Sequence, residues 1–100
     1  MPLSIQQDAT YMDRHRWKWS VWLQGPAEEL DSVEHVMYIL HPTFHNPVRE
    51  VSDRASDFRL DTSGWGTFRI YAKVFMKSGE ERLLEHDLKL YYPDGTPTAA

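Results

Sequence analysis

One hundred residues suffice for one domain with a single core of modest size, and 41% hydrophobic with 26% charged residues excludes wholesale disorder. Eleven basic against 15 acidic residues leave a net charge of −4, and no basic stripe of the kind that neutralises nucleic-acid phosphates is visible. With no cysteine there is no disulfide framework, thiol nucleophile or thiolate metal site, and no apolar run approaches the ~18 residues of a membrane span. The N-terminus has neither a basic start nor an apolar stretch of a secretory leader, so an intracellular protein is expected.

In chain order, residues 1–12 lack a clear period and are expected to form an arm or edge strand. From Arg14 the alternation is strong: Trp17, Trp19, Val21 and Leu23 share one face, while Arg16, Lys18 and Ser20 line the other. The basic residues there therefore read as the outer face of a strand. Gly25-Pro26 ends it, and residues 27–32 are loop or one helical turn. Val33 to His41 alternates again, with Pro42 as its stop. Val48 to Val51 is a short strand candidate. Beyond Gly64 and Gly66, Phe68, Ile70, Ala72, Val74 and Met76 alternate with polar or aromatic partners. Ser78-Gly79-Glu80-Glu81 reads as a hairpin connection to a return strand carrying Leu84, His86, Leu88, Leu90 and Tyr92 on one face. The expectation is an all-β chain: an immunoglobulin-like antiparallel β-sandwich over residues 13–92, followed by a disordered tail at 93–100.

Enzymatic constellations fail one by one. His41 and His45 stand four apart, but Pro42 lies between them in a loop and no carboxylate has convincing ligand spacing, so no metal is expected. Ser63-Gly64-Trp65-Gly66 is not a nucleophile elbow, because Asp61 occupies the place that requires glycine. No glycine-rich phosphate loop is present. Neither catalysis nor a cofactor is expected. What stands out are two turn segments, Leu40-His41-Pro42-Thr43-Phe44 and Ser63-Gly64-Trp65-Gly66-Thr67-Phe68, each carrying flat rings beside small polar or glycine positions. Such parts suit a narrow slot for a flat, neutral, hydrogen-bonding group. Core packing is the competing reading for Phe44, Trp65 and Phe68, and for Phe68, at the head of a strand, the two stand level.

Five segments in register carry a resemblance: Trp19 to Pro26, Val33 to Phe44, Pro47-Val48-Arg49, Ser63 to Phe68, and His86-Asp87-Leu88-Lys89-Leu90. Together the chain from about Arg16 to Tyr92 resembles a YEATS domain. The resemblance implies an immunoglobulin-like sandwich whose loops at one end read acetylated or crotonylated lysine, notably on histone tails. Carried over residue by residue, the pocket falls on His41, Thr43, Phe44, Gly64, Trp65, Gly66 and Phe68. Asp87 takes the place of an acidic residue that contacts the peptide, and His15 stands where the family often has an aromatic wall.

On that carry-over, Phe44 and Trp65 stack on either side of a planar amide, adding about 0.5–1.5 kcal/mol beyond area burial. The Thr43 hydroxyl accepts the amide N–H, and the Trp65 backbone N–H donates to the acyl carbonyl. An unmodified ammonium would lose its water without a carboxylate to replace it. The expected partner is an acylated-lysine peptide or protein bound by a monomer, with no nucleic acid and no membrane; the setting is nuclear if eukaryotic and cytoplasmic if prokaryotic. The alternative is an interaction sandwich for an unmodified partner, for example in a prokaryotic signalling or defence assembly.

Overall fold

Strands form where apolar and polar residues alternate. The computed structural model describes residues 3–64 and 66–96 and places them at β1 Ser4–Asp13, β2 Arg16–Gln24, β3 Val33–Ile39, β4 Val48–Val51, β5 Leu60–Gly64, β6 Arg69–Met76 and β7 Glu81–Asp87. Among the described residues, helix is confined to one turn, α1 Ala27–Asp31, and a 3-10 turn at Arg54–Ser56. Two antiparallel sheets result, one ordered β1-β2-β5 and the other β4-β3-β6-β7. This is the expected immunoglobulin-like antiparallel sandwich.

The core lies between the sheets because period-two patterning turns every second residue inward. Trp17, Trp19, Val21 and Leu23 of β2 meet Val36 and Tyr38 of β3 and Ile70, Ala72 and Val74 of β6, none more than 1% exposed. Tyr38 is the one phenol fully enclosed there. Burial pushes its pKa up, so its hydroxyl stays a donor, and it bonds to the Phe58 carbonyl at 2.7 Å. Phe58 and its neighbour Asp57 both adopt left-handed backbone, with φ of 60° and 58°. Such consecutive non-glycine positions are costly and persist only when overdetermined. Here Phe58 N–H bonds Asp53 O at 2.9 Å, Asp57 N–H bonds Arg54 O at 3.0 Å, and Asp57 O accepts from Leu23 N–H at 2.9 Å.

Residues 4–13 form a ten-residue edge strand. Its inward Gln7 replaces a strand pairing: the side-chain amide donates to Lys89 O at 2.7 Å and accepts from Lys89 N–H at 2.9 Å. With the amide so oriented, its oxygen also accepts a hydrogen bond from His86 Nε2 at 2.7 Å. The same crossing explains why β7 ends at Asp87, although the alternation runs on to Tyr92. Leu88 and Leu90 stay buried; Leu88 N–H still bonds Phe68 O at 3.0 Å, one step beyond the Arg69–Asp87 pair, and it is Lys89 that is taken up by Gln7. In the C-terminal segment, Tyr92 N–H bonds Thr96 O at 2.8 Å in a turn; residues 97–100, like residues 1 and 2, lie outside the described residues.

On the outer face of β1-β2-β5, buried Ser20 donates to Asp61 Oδ1 and accepts from Arg59 Nη2 at 3.0 Å, while Arg59 Nε reaches Asp61 at 2.8 Å. The Ser20 hydrogen bond, then that of Arg59, hold the Asp61 carboxyl below the ordinary carboxylate range. A carboxyl depressed on folding contributes stability that is present above its unfolded pKa and lost as pH falls through its folded one. Asp61→Asn should therefore lower the urea midpoint at neutral pH and make no difference in strong acid. Tyr38→Phe leaves the Phe58 carbonyl unpaired inside the core and should cost about 1–3 kcal/mol in urea unfolding, with the fold retained by circular dichroism.

Candidate functional site

The register sets one end of the sandwich as the place where loops converge. Ile39 opposite Tyr71 and Trp17 opposite Gly64 bring the ends of β3 and β5 level with the starts of β2 and β6. The first loop, 40–47, stays within one sheet. Leu40 N–H bonds Pro47 O at 2.7 Å across its base, and Phe44 N–H bonds His41 O at 3.0 Å in its leading turn. Arg49, just inside β4, donates to Asn46 O at 2.5 Å and His45 O at 2.8 Å, tying down the far limb. The second loop leaves β5 at Gly64 and enters β6 at Arg69, so it crosses from one sheet to the other.

Trp19 is the floor beneath both. Its ring, 1% exposed, meets Phe44 edge-on at 6.2 Å and Phe68 at 5.9 Å, and the two phenylalanines lie 5.3 Å apart. His41 stands edge-on to Phe68 at 6.0 Å. Gly64 is positioned by close approach: a β-carbon there would stand 3.2 Å from Phe44 Cζ and 3.6 Å from Trp19 Nε1. Above this floor opens a cavity of about 530 Å³.

His41, Thr43, Phe44, Gly64, Gly66 and Phe68 all line that cavity. Trp65 lies outside the described residues. Phe68 reconciles the two readings open to it, since it packs on Trp19 and faces the cavity at once. His15 and Asp87 are not in the lining. His15 sits on the β1–β2 turn with φ 60° and its Nδ1 3.0 Å from the Tyr92 hydroxyl. Asp87 accepts from Arg69 Nε at 2.9 Å, and that guanidinium holds its carboxyl below the ordinary range. Four lining residues were missed in the sequence: Arg16, His45, Ser63 and Thr67. Arg16 was readable only through register, because it follows the sheet row next to Trp17 and Gly64.

The first loop also fixes a proton. Thr43 N–H donates to His41 Nδ1 at 3.3 Å, so Nδ1 is an acceptor and the imidazole proton sits on Nε2. The Thr43 hydroxyl, 2.9 Å from the same nitrogen, must then spend its proton on it. Both Oγ lone pairs remain for a donor entering the cavity. No carboxylate is among the described lining residues, and no histidine or carboxylate is hydrogen-bonded to Ser63. No group of three or more His, Asp or Glu among the described residues could hold a metal ion.

Residues 17–89 match the family described as prokaryotic YEATS domain. The chain belongs to the YEATS domain family. A protein AF-9 homolog from Eremothecium gossypii is 38% identical over 82 residues, covering 77% of this chain and 38% of that protein, so the chain spans well under half the relative's length. The crystal structure of the yeast AF-9 homolog protein Yaf9 superposes with a TM-score of 0.76 at 28% identity, covering 91% of this chain and 68% of that one. The Yaf9 YEATS domain recognizing H3K122suc peptide gives 0.74 at 30% identity, covering 93% and 73%.

Because Gly64 has ordinary backbone geometry, Gly64→Ala should fold. The added methyl must displace the Phe44 ring by a few tenths of an ångström, costing about 1 kcal/mol. A thermal melt lowered by a few degrees, with shifted Phe44 and Trp19 ring resonances, is the expected outcome.

Proposed function

We propose that this YEATS domain is a non-enzymatic reader of acylated lysine in a peptide or protein. The observation that carries the reading is Thr43: its hydroxyl proton is committed to His41, which leaves Oγ as an acceptor for an entering amide N–H. The surroundings agree. Phe44 and Phe68 supply apolar ring surface, Gly64 and Gly66 let backbone approach closely, and no described lining residue offers a carboxylate to an unmodified lysine. The Yaf9 domain that recognizes H3K122suc peptide has the same fold at 30% identity.

In this reading Trp65 forms the second wall opposite Phe44, and its backbone N–H meets the acyl carbonyl. Asp87 and His15 sit outside the slot and touch the peptide beside the acyl-lysine. The match to the prokaryotic YEATS description supports an acylated cytoplasmic protein over a nucleosome as the ligand source. Stacking and two neutral hydrogen bonds amount to a binding free energy on the order of −6 to −8 kcal/mol, a micromolar dissociation constant.

NMR titration with matched unmodified, acetylated and crotonylated lysine peptides tests this. Acylated peptides should shift residues 41–44 and 64–68, and the unmodified peptide should not. Trp65→Ala should abolish binding, and Thr43→Ala should weaken it roughly two- to tenfold, the loss of one neutral hydrogen bond. Equal responses to all three peptides would replace the reader with a docking module for unmodified partners.

A further inference from the structure

The arginines of this chain divide by place. Arg54, Arg59, Arg69 and Arg82 each hold a carboxylate within 3.0 Å. Among the described residues, Arg14, Arg16 and Arg49 hold none, and all three belong to the end of the sandwich where the cavity opens. Arg16 lines that cavity; it is exposed, and its side chain makes no hydrogen bond or ion pair. Asp13, its cross-strand partner, directs its carboxylate to Arg14 N–H at 2.8 Å.

On the other sheet, Arg49 stands behind the first loop. Its guanidinium is met by the carbonyls of His45 and Asn46, which tie the loop without cancelling the charge. His45 itself lines the cavity, and the ionisable members of the described lining are Arg16, His41 and His45, with no carboxylate. A chain of net charge −4 thus gathers uncompensated positive charge at the mouth of its cavity. The acid expected to meet a basic peptide, Asp87, lies outside the lining and is already held by Arg69 at 2.9 Å.

Resting on the reader assignment, we infer that the mouth selects an acyl-lysine set in an acidic stretch of its partner, with Arg16 as the residue that reads the neighbouring carboxylate. An extended peptide advances about 3.5 Å per residue, so side chains one or two positions from the acyl-lysine stay over the rim. A guanidinium meets a carboxylate there with two parallel hydrogen bonds, and the free Arg16 fork breaks no internal pair to do so. A lysine or arginine at the same places meets like charge from Arg16 and Arg49. Nucleic acid is a poorer match, because one lining guanidinium is not the row of cations that a phosphate backbone needs.

The test uses one acetyl-lysine peptide with blocked termini, flanked on both sides by glutamate, glutamine or lysine, with the unacetylated glutamate form as control. Calorimetry is run at about 0.01 M and about 1 M salt, where the Debye length is about 30 Å and about 3 Å. At low salt the glutamate form should bind roughly two- to fivefold more tightly than the glutamine form, and the lysine form more weakly than either. At high salt the three should converge. Arg16→Gln should remove the advantage of glutamate, and Arg16→Glu should reverse the order. Should either variant fail to fold, the salt dependence of the unmutated protein still decides. Affinity independent of the flanks, with the control silent, overturns the inference and leaves the reader intact. Tighter binding of the lysine form overturns it in favour of Asp87, and tighter binding of a single-stranded oligonucleotide in favour of a phosphate partner. Failure of every acetylated form, or equal binding by the unacetylated control, overturns the reader and this inference with it.

Discussion

Trp19 sits where the two halves of the molecule meet. Below it the ring closes the top of the core, almost wholly removed from water; above it Phe44 and Phe68 rest edge-on and give the cavity its floor. Both loops therefore take their height from one side chain. Edge-to-face contacts favour a fixed angle between rings, so the floor is set in orientation as well as depth. Gly64 completes the arrangement by keeping a β-carbon out of the gap between indole and phenylalanine.

A rigid floor suits a site that works by shape and hydrogen-bond direction. The first loop contributes the direction. Its base is closed by Leu40 and Pro47, its limb is tied by Arg49, and its imidazole commits the Thr43 proton. None of these groups needs to move for Thr43 to accept a donor. Preorganisation of this kind matters where the available contacts are few and neutral, because little of their energy is then consumed in ordering the loop.

Much of this was legible in the sequence. The alternation of β2, β3 and β6 is strong because both sheets bury those strands on one full face, and the Pro and Gly punctuation located both loops. The expected pocket residues other than Trp65 line one cavity as a set, and His15 and Asp87, expected beside the peptide, lie outside its lining. What escaped was decided by partners distant in sequence. β1 showed no period because its inward row includes Gln7, a polar residue that satisfies backbone across the seam. The end of β7 was invisible because Leu88 and Leu90 remain buried after the ladder stops. Arg16 and His45 reached the cavity through register and loop path, neither of which alternation encodes.

The second loop crosses from one sheet to the other, whereas the first remains on its own sheet. The opening between them consequently spans the gap across which the two sheets pack, a distance of about 10 Å governed by the side chains in between. Slot width is in that sense a property of the interior. A change of volume at a position such as Val36 or Ala72, out of reach of any ligand, would spread or narrow the opening without altering a lining residue. Selectivity in this fold can drift through the core, and a bound ligand that grips both loops would in turn act as a brace between the sheets.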